Sequence, residues 1–520
     1  MTGMTASAAP RTAPWWAGAL AGLLAAASGV AVGTAVAALL QGVPSPIESV
    51  GNRAIDYAPP FLKELAVKQF GTADKPVLIG GVVAALAVIA MVAGVVGRRR
   101  PRLAVAVVAV IGLIAVAAAA VDRTTTASRT LTLVPSVLTL LVSLGALLLL
   151  LSTLTVRDEP GEEHPMGFRR RSFLQAALGV TALVVVGGAV GQLFGNAAAA
   201  ASRAAIKLPR STPAPAVPAG AQVDVEGVSR FVTPNRDFYR VDTALRVPDV
   251  PAEGWTLRIH GMVDRELSFS YRDLMNMPLV DHRITLTCVS NEVGGPYVGN
   301  AVWTGVLVKD LLAMAGVQDG ADAIKTTSAD RWTAGTPLEA VTDDRHSMIA
   351  IGMNGEPLPL AHGFPARVVV PGLYGYVSAT KWLTDIEVTR FADFKAYWTT
   401  RDYTAEAPIK FSSRIDVPKS FQTFPRDKVR VGGVAWAQTV GIERVEVKVD
   451  NGPWQDATLA PEDNIETWRQ WTWQWDEATE GTHKLTVRAT NKDGDTQTSD
   501  RARIRPNGTT GWHSVQFRVE

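Results

Sequence analysis

Cysteine occurs once in the 520 residues, at Cys288 within TLTCVSNEVGG (Thr285–Gly295). A lone thiol forms no disulfide within its own chain and belongs to no Cys-x-x-Cys metal or redox pair. It could be a small buried hydrophobe, but its setting offers two kinds of chemistry. As a nucleophile, its thiolate needs an imidazole within hydrogen-bond reach. His282 lies six residues earlier on the same face of a continuous strand, about 20 Å away by the rise of an extended chain. That leaves His260, His346 and His362 to approach through folding. As a soft metal ligand, a single thiolate holds neither zinc nor an iron–sulfur cluster, so most of the ligands would come from a cofactor.

The elements that must position this thiol surround it. RITLTCV reads as a strand and CVSNEVGGP as a polar, glycine-rich loop, so the sulfur leaves the sheet where backbone amides can approach a ligand. WTLRIHGMV reads as another strand; YRDLMNM and VLVKDLLAMAGV (Val306–Val317) read as short amphipathic helices, which makes the region mixed α and β. It follows a Pro/Ala linker of extended character, LPRSTPAPAVPAG (Leu208–Gly220). From about Pro425, period-two alternation is punctuated by Asp-Asn-Gly and Lys-Asp-Gly turns, the pattern of a small all-β sandwich. Trp436, Trp454, Trp468, Trp471, Trp473 and Trp475 are read as its packing residues.

The first 200 residues are of another kind. Trp15–Leu40, Val77–Gly97, Leu103–Val121, Leu131–Val156 and Phe173–Phe194 are apolar and long enough to cross a hydrocarbon core of about 30 Å. The basic loops GRRRPR (Gly97–Arg102) and GFRRRSFLQ (Gly167–Gln175) mark the cytoplasmic side. Arg11 is then inside, and the second half of the chain lies outside the plasma membrane. The first outer loop, Ile47–Gly71, suits an interfacial helix and a solvated loop equally. Of the seven histidines only His164 falls in this half, in a loop. Axial ligands for an intramembrane haem and charges for an ion path are therefore missing. Spans one to four read as an anchor or as a docking surface for another membrane protein. RRSFLQ (Arg170–Gln175) resembles the twin-arginine export signal for folded domains, although its arginines also satisfy the positive-inside rule. A net charge of +2, with no basic run interleaved with aromatics, excludes nucleic acid as a partner.

The segment from about Phe231 to Glu520 resembles the sulfite oxidase family of molybdenum enzymes, in which one cysteine joins a pterin dithiolene on the metal. TPNRDFYRVDTAL (Thr233–Leu245) is similar to the family's opening cofactor-contact segment, LTCVSN (Leu286–Asn291) to its Cys-x-x-Asn loop, and YWTTRDY (Tyr397–Tyr403) to the segment of its active-site tyrosine. NGEPLPLAHGFPARVVVPGLYGYVSATKWL (Asn354–Leu383) is the most specific match. The resemblance implies molybdenum–molybdopterin held by Cys288, with Phe238, Tyr239, Arg240, Asn291, Asp330, His362, Arg367, Ser378, Thr380 and Lys381 at the cofactor. It implies catalytic roles for Cys288, Tyr403 and Arg240, the last at either a cofactor phosphate or an anionic substrate. It further implies an immunoglobulin-like C-terminal domain that makes a homodimer. No haem site accompanies these motifs, so electrons would pass to a separate electron-transfer protein.

The expected fold is therefore multi-domain. A four-span membrane region (1–166) and a signal anchor with the fifth span (167–205) precede an α+β molybdopterin domain (206–425) and an all-β immunoglobulin-like sandwich (426–520). Sulfite oxidases place arginines directly after the Cys-x-x-Asn loop, where this chain has Glu292 and Val293, and the loop Gly375–Lys381 is one residue longer and lacks their arginine. A partly buried Glu292 would oppose a dianion by about 1–3 kcal/mol, which favours a neutral or zwitterionic S- or N-oxide as the small-molecule substrate over sulfite. The same substitutions motivate a rival reading, a membrane-tethered binding or scaffold module on a degenerate catalytic fold.

Overall fold

A computed structural model describes residues 13–40, 42–59, 74–122, 124–125, 127–154 and 169–520. Arg11, His164, Gly167, Phe168, the end of the fourth expected span and the later part of the first outer loop lie outside the described residues. The chain forms two compact units, Met1–Ala198 with Thr243–Asp249, and Ala199–Asp242 with Val250–Glu520.

The first unit contains α1 (Trp15–Leu39), α2 (Pro46–Tyr57), α3 (Asp74–Gly97), α4 (Pro101–Ala120), α5 (Arg129–Leu154) and α6 (Arg170–Phe194). Five of its helices are long and apolar enough to span a bilayer, in agreement with the hydropathy of the sequence, and they support a multi-pass membrane protein that associates with lipid. Lipid offers no hydrophobic gain for helix association, so close backbone packing must supply it. A Cβ at Gly22 of α1 would overlap the Ala90 carbonyl of α3, so glycine alone permits this approach. The loop after the first span contains a short helix, α2. Ser45 accepts from the Glu48 amide at 3.3 Å while the Glu48 carboxylate accepts from the Ser45 amide at 2.7 Å, which satisfies two amides at the helix start.

The second unit opens with β1 (Thr256–Gly261), β2 (Leu267–Ser270), β3 (Val280–Thr287), β4 (Val298–Leu307), β5 (Ala323–Ser328), β6 (Thr333–Pro337), β7 (Met348–Met353), β8 (Glu356–Pro357), β9 (Arg367–Val369) and β10 (Leu383–Thr389). These make two sheets, ordered β2-β1-β10-β5-β6 and β3-β4-β7-β8, with β9 also paired to β7. The expected helices are present at Tyr271–Met275 and Val308–Ala315, so this region is α+β. Leu257, Ile259, Trp303, Ile349, Phe364 and Ile386 share one buried core. The Pro/Ala segment is docked rather than spanning free space. Thr212 pairs with Val280, because β3 is an edge strand whose backbone lacks a strand neighbour on that side, and the Pro215 carbonyl accepts from the Arg283 guanidinium.

The C-terminal region is all-β: β11 (Ser412–Val417), β12 (Thr423–Phe424), β13 (Arg430–Trp436), β14 (Ile442–Val449), β15 (Gln455–Asp456), β16 (Thr458–Leu459), β17 (Arg469–Gln474), β18 (Gly481–Asn491) and β19 (His513–Val519). Its sheets, β11-β13-β17-β16 and β12-β19-β18-β14-β15, enclose Val431, Val445, Trp471, Leu485, Val487 and Phe517. Trp436 and Trp468 are buried instead with Phe231 and Val298, against the α+β region. Trp454 is only partly buried; it meets Trp512 edge-on at 5.0 Å, with Lys448 and Arg488 over its ring.

Candidate active site

β3 pairs with β4 as far as Thr287↔Val298, and the chain then turns through Cys288. The Cys288 amide donates to the Tyr297 carbonyl at 3.0 Å and the Asn291 amide to the Cys288 carbonyl at 3.0 Å. Buried Asn291 closes the loop through its side-chain oxygen, which accepts from the Tyr297 amide at 2.8 Å. The C-terminal region braces the turn from outside, where Thr509 donates to the Asn291 carbonyl at 2.9 Å and Arg414 to the Gly295 carbonyl at 3.0 Å. The thiol thus stands at a strand end on a fixed loop.

Cys288 Sγ lies 2.9 Å from Ser290 Oγ. Burial raises its pKa, while Ser290 and the positive charge of Lys381 act the other way. Among the described residues no imidazole hydrogen-bonds the thiol, as the nucleophile reading would need: His260 is engaged by Asp385 at 3.0 Å, and His282 and His346 by Glu466. His362 donates through Nε2 to the Asn235 carbonyl at 3.0 Å, the tautomer that a carbonyl partner requires. Its pKa falls to about 4 because burial and the neighbouring Lys381, Arg367 and Arg240 all oppose protonation.

The same neighbourhood brings together most of the other expected cofactor residues. Phe238 stacks on Tyr239 at 5.1 Å and meets Trp303 and His362 edge-on. Arg367, 3% exposed, lies over the Trp303 ring at 4.8 Å and donates to the His362 carbonyl at 3.1 Å. Gly363, at φ +112°, lets the two cation-bearing segments converge, since a Cβ there would press on both Arg367 and Lys381 at 3.1 Å. Lys381 pairs with Asp242 at 3.0 Å, and Arg240 with the same carboxylate at 2.8 Å. Burial lowers Lys381 to about 8 and Arg367 to about 10. The Asp330 pKa is raised, first by burial and also by Asp242, while hydrogen bonds from Ser328 and Trp332 and the Lys381 charge act the other way.

Ser378 and Thr380 are buried with their hydroxyls committed elsewhere, Ser378 to the Leu373 and Tyr374 carbonyls and Thr380 to Thr326 at 2.6 Å. They shape the Gly375–Lys381 turn. Tyr403 stands with Tyr376 and Trp398 in a cleft of about 670 Å³, and Cys288 is not among the residues that line it. Tyr239, whose pKa burial raises, and Tyr374, pushed up to about 12 mainly by burial, both interact electrostatically with the thiol. Sequence reasoning missed Tyr374, Trp303 and Asp242. Only the Arg-x-Asp spacing of Arg240 and Asp242 hinted at any of them. Glu292 is exposed, so water screens its charge, and the expected repulsion of a dianion by Glu292 is corrected.

The donor set fits a phosphate-bearing group. Among the described residues buried Arg367 has only carbonyl partners and no carboxylate, a costly arrangement unless an anion joins it. Arg240 and Lys381 share a single acid, and the buried Thr287 hydroxyl beside Cys288 has no partner among the described residues.

Residues 244–398 match the family model of the oxidoreductase molybdopterin-binding domain. The uncharacterized oxidoreductase YuiH of Bacillus subtilis is 32% identical over 176 residues, which cover 33% of this chain and 85% of YuiH. Human mitochondrial sulfite oxidase is 30% identical over 289 residues, covering 47% of this chain and 52% of that protein. The chain thus spans about half the length of the mammalian sulfite oxidases it matches. The solved structure of the sulfane dehydrogenase SoxCD from Paracoccus pantotrophus has a TM-score of 0.50 at 23% identity, covering 57% of this chain and 85% of that one, a likeness of fold.

Proposed function

The chain belongs to the sulfite oxidase family of molybdenum-dependent oxidoreductases, and on that premise we propose that it is a membrane-anchored, extracytoplasmic enzyme exchanging an oxygen atom with a small substrate at a Cys288-ligated molybdenum. The observation that carries this reading is the buried Arg367, with no carboxylate partner among the described residues, in the electrostatic neighbourhood of Lys381, which also acts on Cys288. When bound, the molybdenum–pterin group supplies two-electron oxygen-atom exchange.

The chain's own residues bind and orient. Arg367, Lys381 and Arg240 would hold the phosphate by charge-assisted hydrogen bonds. Neutral His362 keeps its Nε2 proton on Asn235 and leaves Nδ1 as an acceptor. The raised pKa of Asp330 favours a carboxyl that donates to a ring nitrogen. Cys288 would supply its thiolate: burial raises its pKa, and Ser290 and the Lys381 charge act against that rise. Tyr239 and Tyr374 remain protonated at neutral pH and can donate to a substrate oxygen. Tyr403, in the aromatic cleft with Tyr376 and Trp398, would be the phenol that the family resemblance assigns to catalysis.

With Val293 where sulfite oxidases carry positive charge, a neutral or zwitterionic S- or N-oxide fits better than a dianion. For a sulfoxide the balanced reaction consumes two electrons and two protons and yields a thioether and water; a separate electron-transfer protein supplies the electrons. Export of the folded domain would use Arg170 and Arg171, and the C-terminal region would be an immunoglobulin-like dimerisation domain. The domain limits would follow the composition changes at 166 and 205, whereas the all-β region takes in β11 from Ser412, which pairs with β13, and so starts before the composition change at 425. Molybdenum and pterin content of the purified protein, followed by turnover of sulfoxides against sulfite, tests this reading.

A further inference from the structure

His282, on β3, and His346, just before β7, stack their rings at 3.6 Å and 11°. Both face Glu466, in the loop before β17. The carboxylate is held in place from several directions. Its backbone oxygen accepts from the Thr285 amide at 3.0 Å, its amide donates to Asn464 at 2.8 Å, and its Oε1 accepts from the His346 amide at 3.2 Å. Beside it, Arg283 and Asp463 are paired and buried, fixing the same loop to β3.

His282 Nε2 lies 2.6 Å from Glu466 Oε2, yet both atoms are buried and neither has an aligned hydrogen-bond partner among the described residues. His346 Nδ1 approaches the same oxygen at 3.6 Å. One carboxylate can neutralise only one protonated ring, and a simple ion pair leaves the second imidazole unexplained. A dication would satisfy all three donors together. The ligand atoms lie within 4.8 Å of one another, whereas bonds of about 2.0–2.1 Å in tetrahedral geometry separate two donors by about 3.3 Å. His282 must therefore draw back slightly from Oε2, while His346 closes in and turns out of the stack, because imidazole lone pairs lie in the ring planes and two near-parallel rings 3.6 Å apart do not aim at one ion. The His346 side chain is 44% exposed, which leaves it room to move and gives water access to the remaining coordination positions.

We propose that His282, His346 and Glu466 bind one Zn²⁺ ion that ties the C-terminal β-region to the α+β region, with water completing the coordination. Two imidazoles select a borderline transition metal over Ca²⁺ or Mg²⁺, which take oxygen ligands. By strand rise the group lies about 20 Å along β3 from Cys288, so this zinc is separate from the molybdenum chemistry and its test does not depend on that reading.

The experiment is equilibrium dialysis of the detergent-purified full chain against ZnCl₂ after chelator treatment, with zinc counted per chain. Wild type should bind one zinc. Exposed His346→Ala, which need not disturb folding, should weaken binding by about 100-fold or more, and zinc should raise the unfolding temperature of wild type but not of H346A. Co²⁺ in place of zinc should give visible absorption in wild type that is lost in H346A. Failure of wild type to bind zinc, or equal binding by H346A, overturns the proposal.

Discussion

The Lys381 ammonium lies 3.0 Å from the Asp242 carboxylate, which also takes Arg240 at 2.8 Å, so one acid serves two cations. Burial lowers Lys381 to about 8 from an ordinary 10.5. Between about pH 8 and 10.5 the unfolded chain therefore binds the extra proton, and this group's contribution to stability rises with pH across that window. In cofactor-free protein, Lys381→Met should flatten the rise in denaturation midpoint over this range. A bound phosphate should also flatten it in wild type, by raising the lysine.

Thr509 reaches from the C-terminal region to the Asn291 carbonyl at 2.9 Å. Thr509→Val removes that hydrogen bond and should cost about 1 kcal/mol of stability, read from urea midpoints. It should also hasten cofactor loss on dilution, because the loop carrying Cys288 loses an outside brace.

Much of this arrangement was legible in the sequence. Cys288 sits where a β-branched run meets a glycine-rich loop, and the spans follow from composition over some twenty residues each. The rest depends on partners far apart in the chain. Tyr374 lies in an apolar run and reads as core, and Asp242 gains meaning only when folding brings Lys381 to it, 139 residues away. Glu466 looks like a solvated acid until His282 and His346 close on it. The exposure of Glu292 likewise depends on how the loop turns.

Arg170 and Arg171 open α6. Replacing both by Lys keeps the charge that sets topology but should strand the second half of the chain in the cytoplasm, since folded export requires the arginines. Protease accessibility in spheroplasts checks this; normal export of the Lys-Lys form would sink the twin-arginine proposal.

The proposed substrate class rests on Val293 taking the place of a positive charge. Val293→Arg should raise kcat/KM for sulfite by about tenfold, equivalent to ~1.4 kcal/mol, and leave a neutral sulfoxide nearly unaffected. Steady-state assays of both substrates on both proteins check it, and efficient sulfite oxidation by wild type would refute the substrate assignment.

The central claim is that Cys288 holds a molybdenum–pterin group whose phosphate is bound by Arg367 and Lys381. Elemental and pterin analysis of protein made in a cell that synthesises the cofactor tests it most directly. The prediction is one molybdenum and one pterin per chain in wild type, little molybdenum but retained pterin in Cys288→Ser, and loss of both in Arg367→Met/Lys381→Met. Wild type without stoichiometric molybdenum, or a Cys288→Ser form with a full complement of it, would contradict the account.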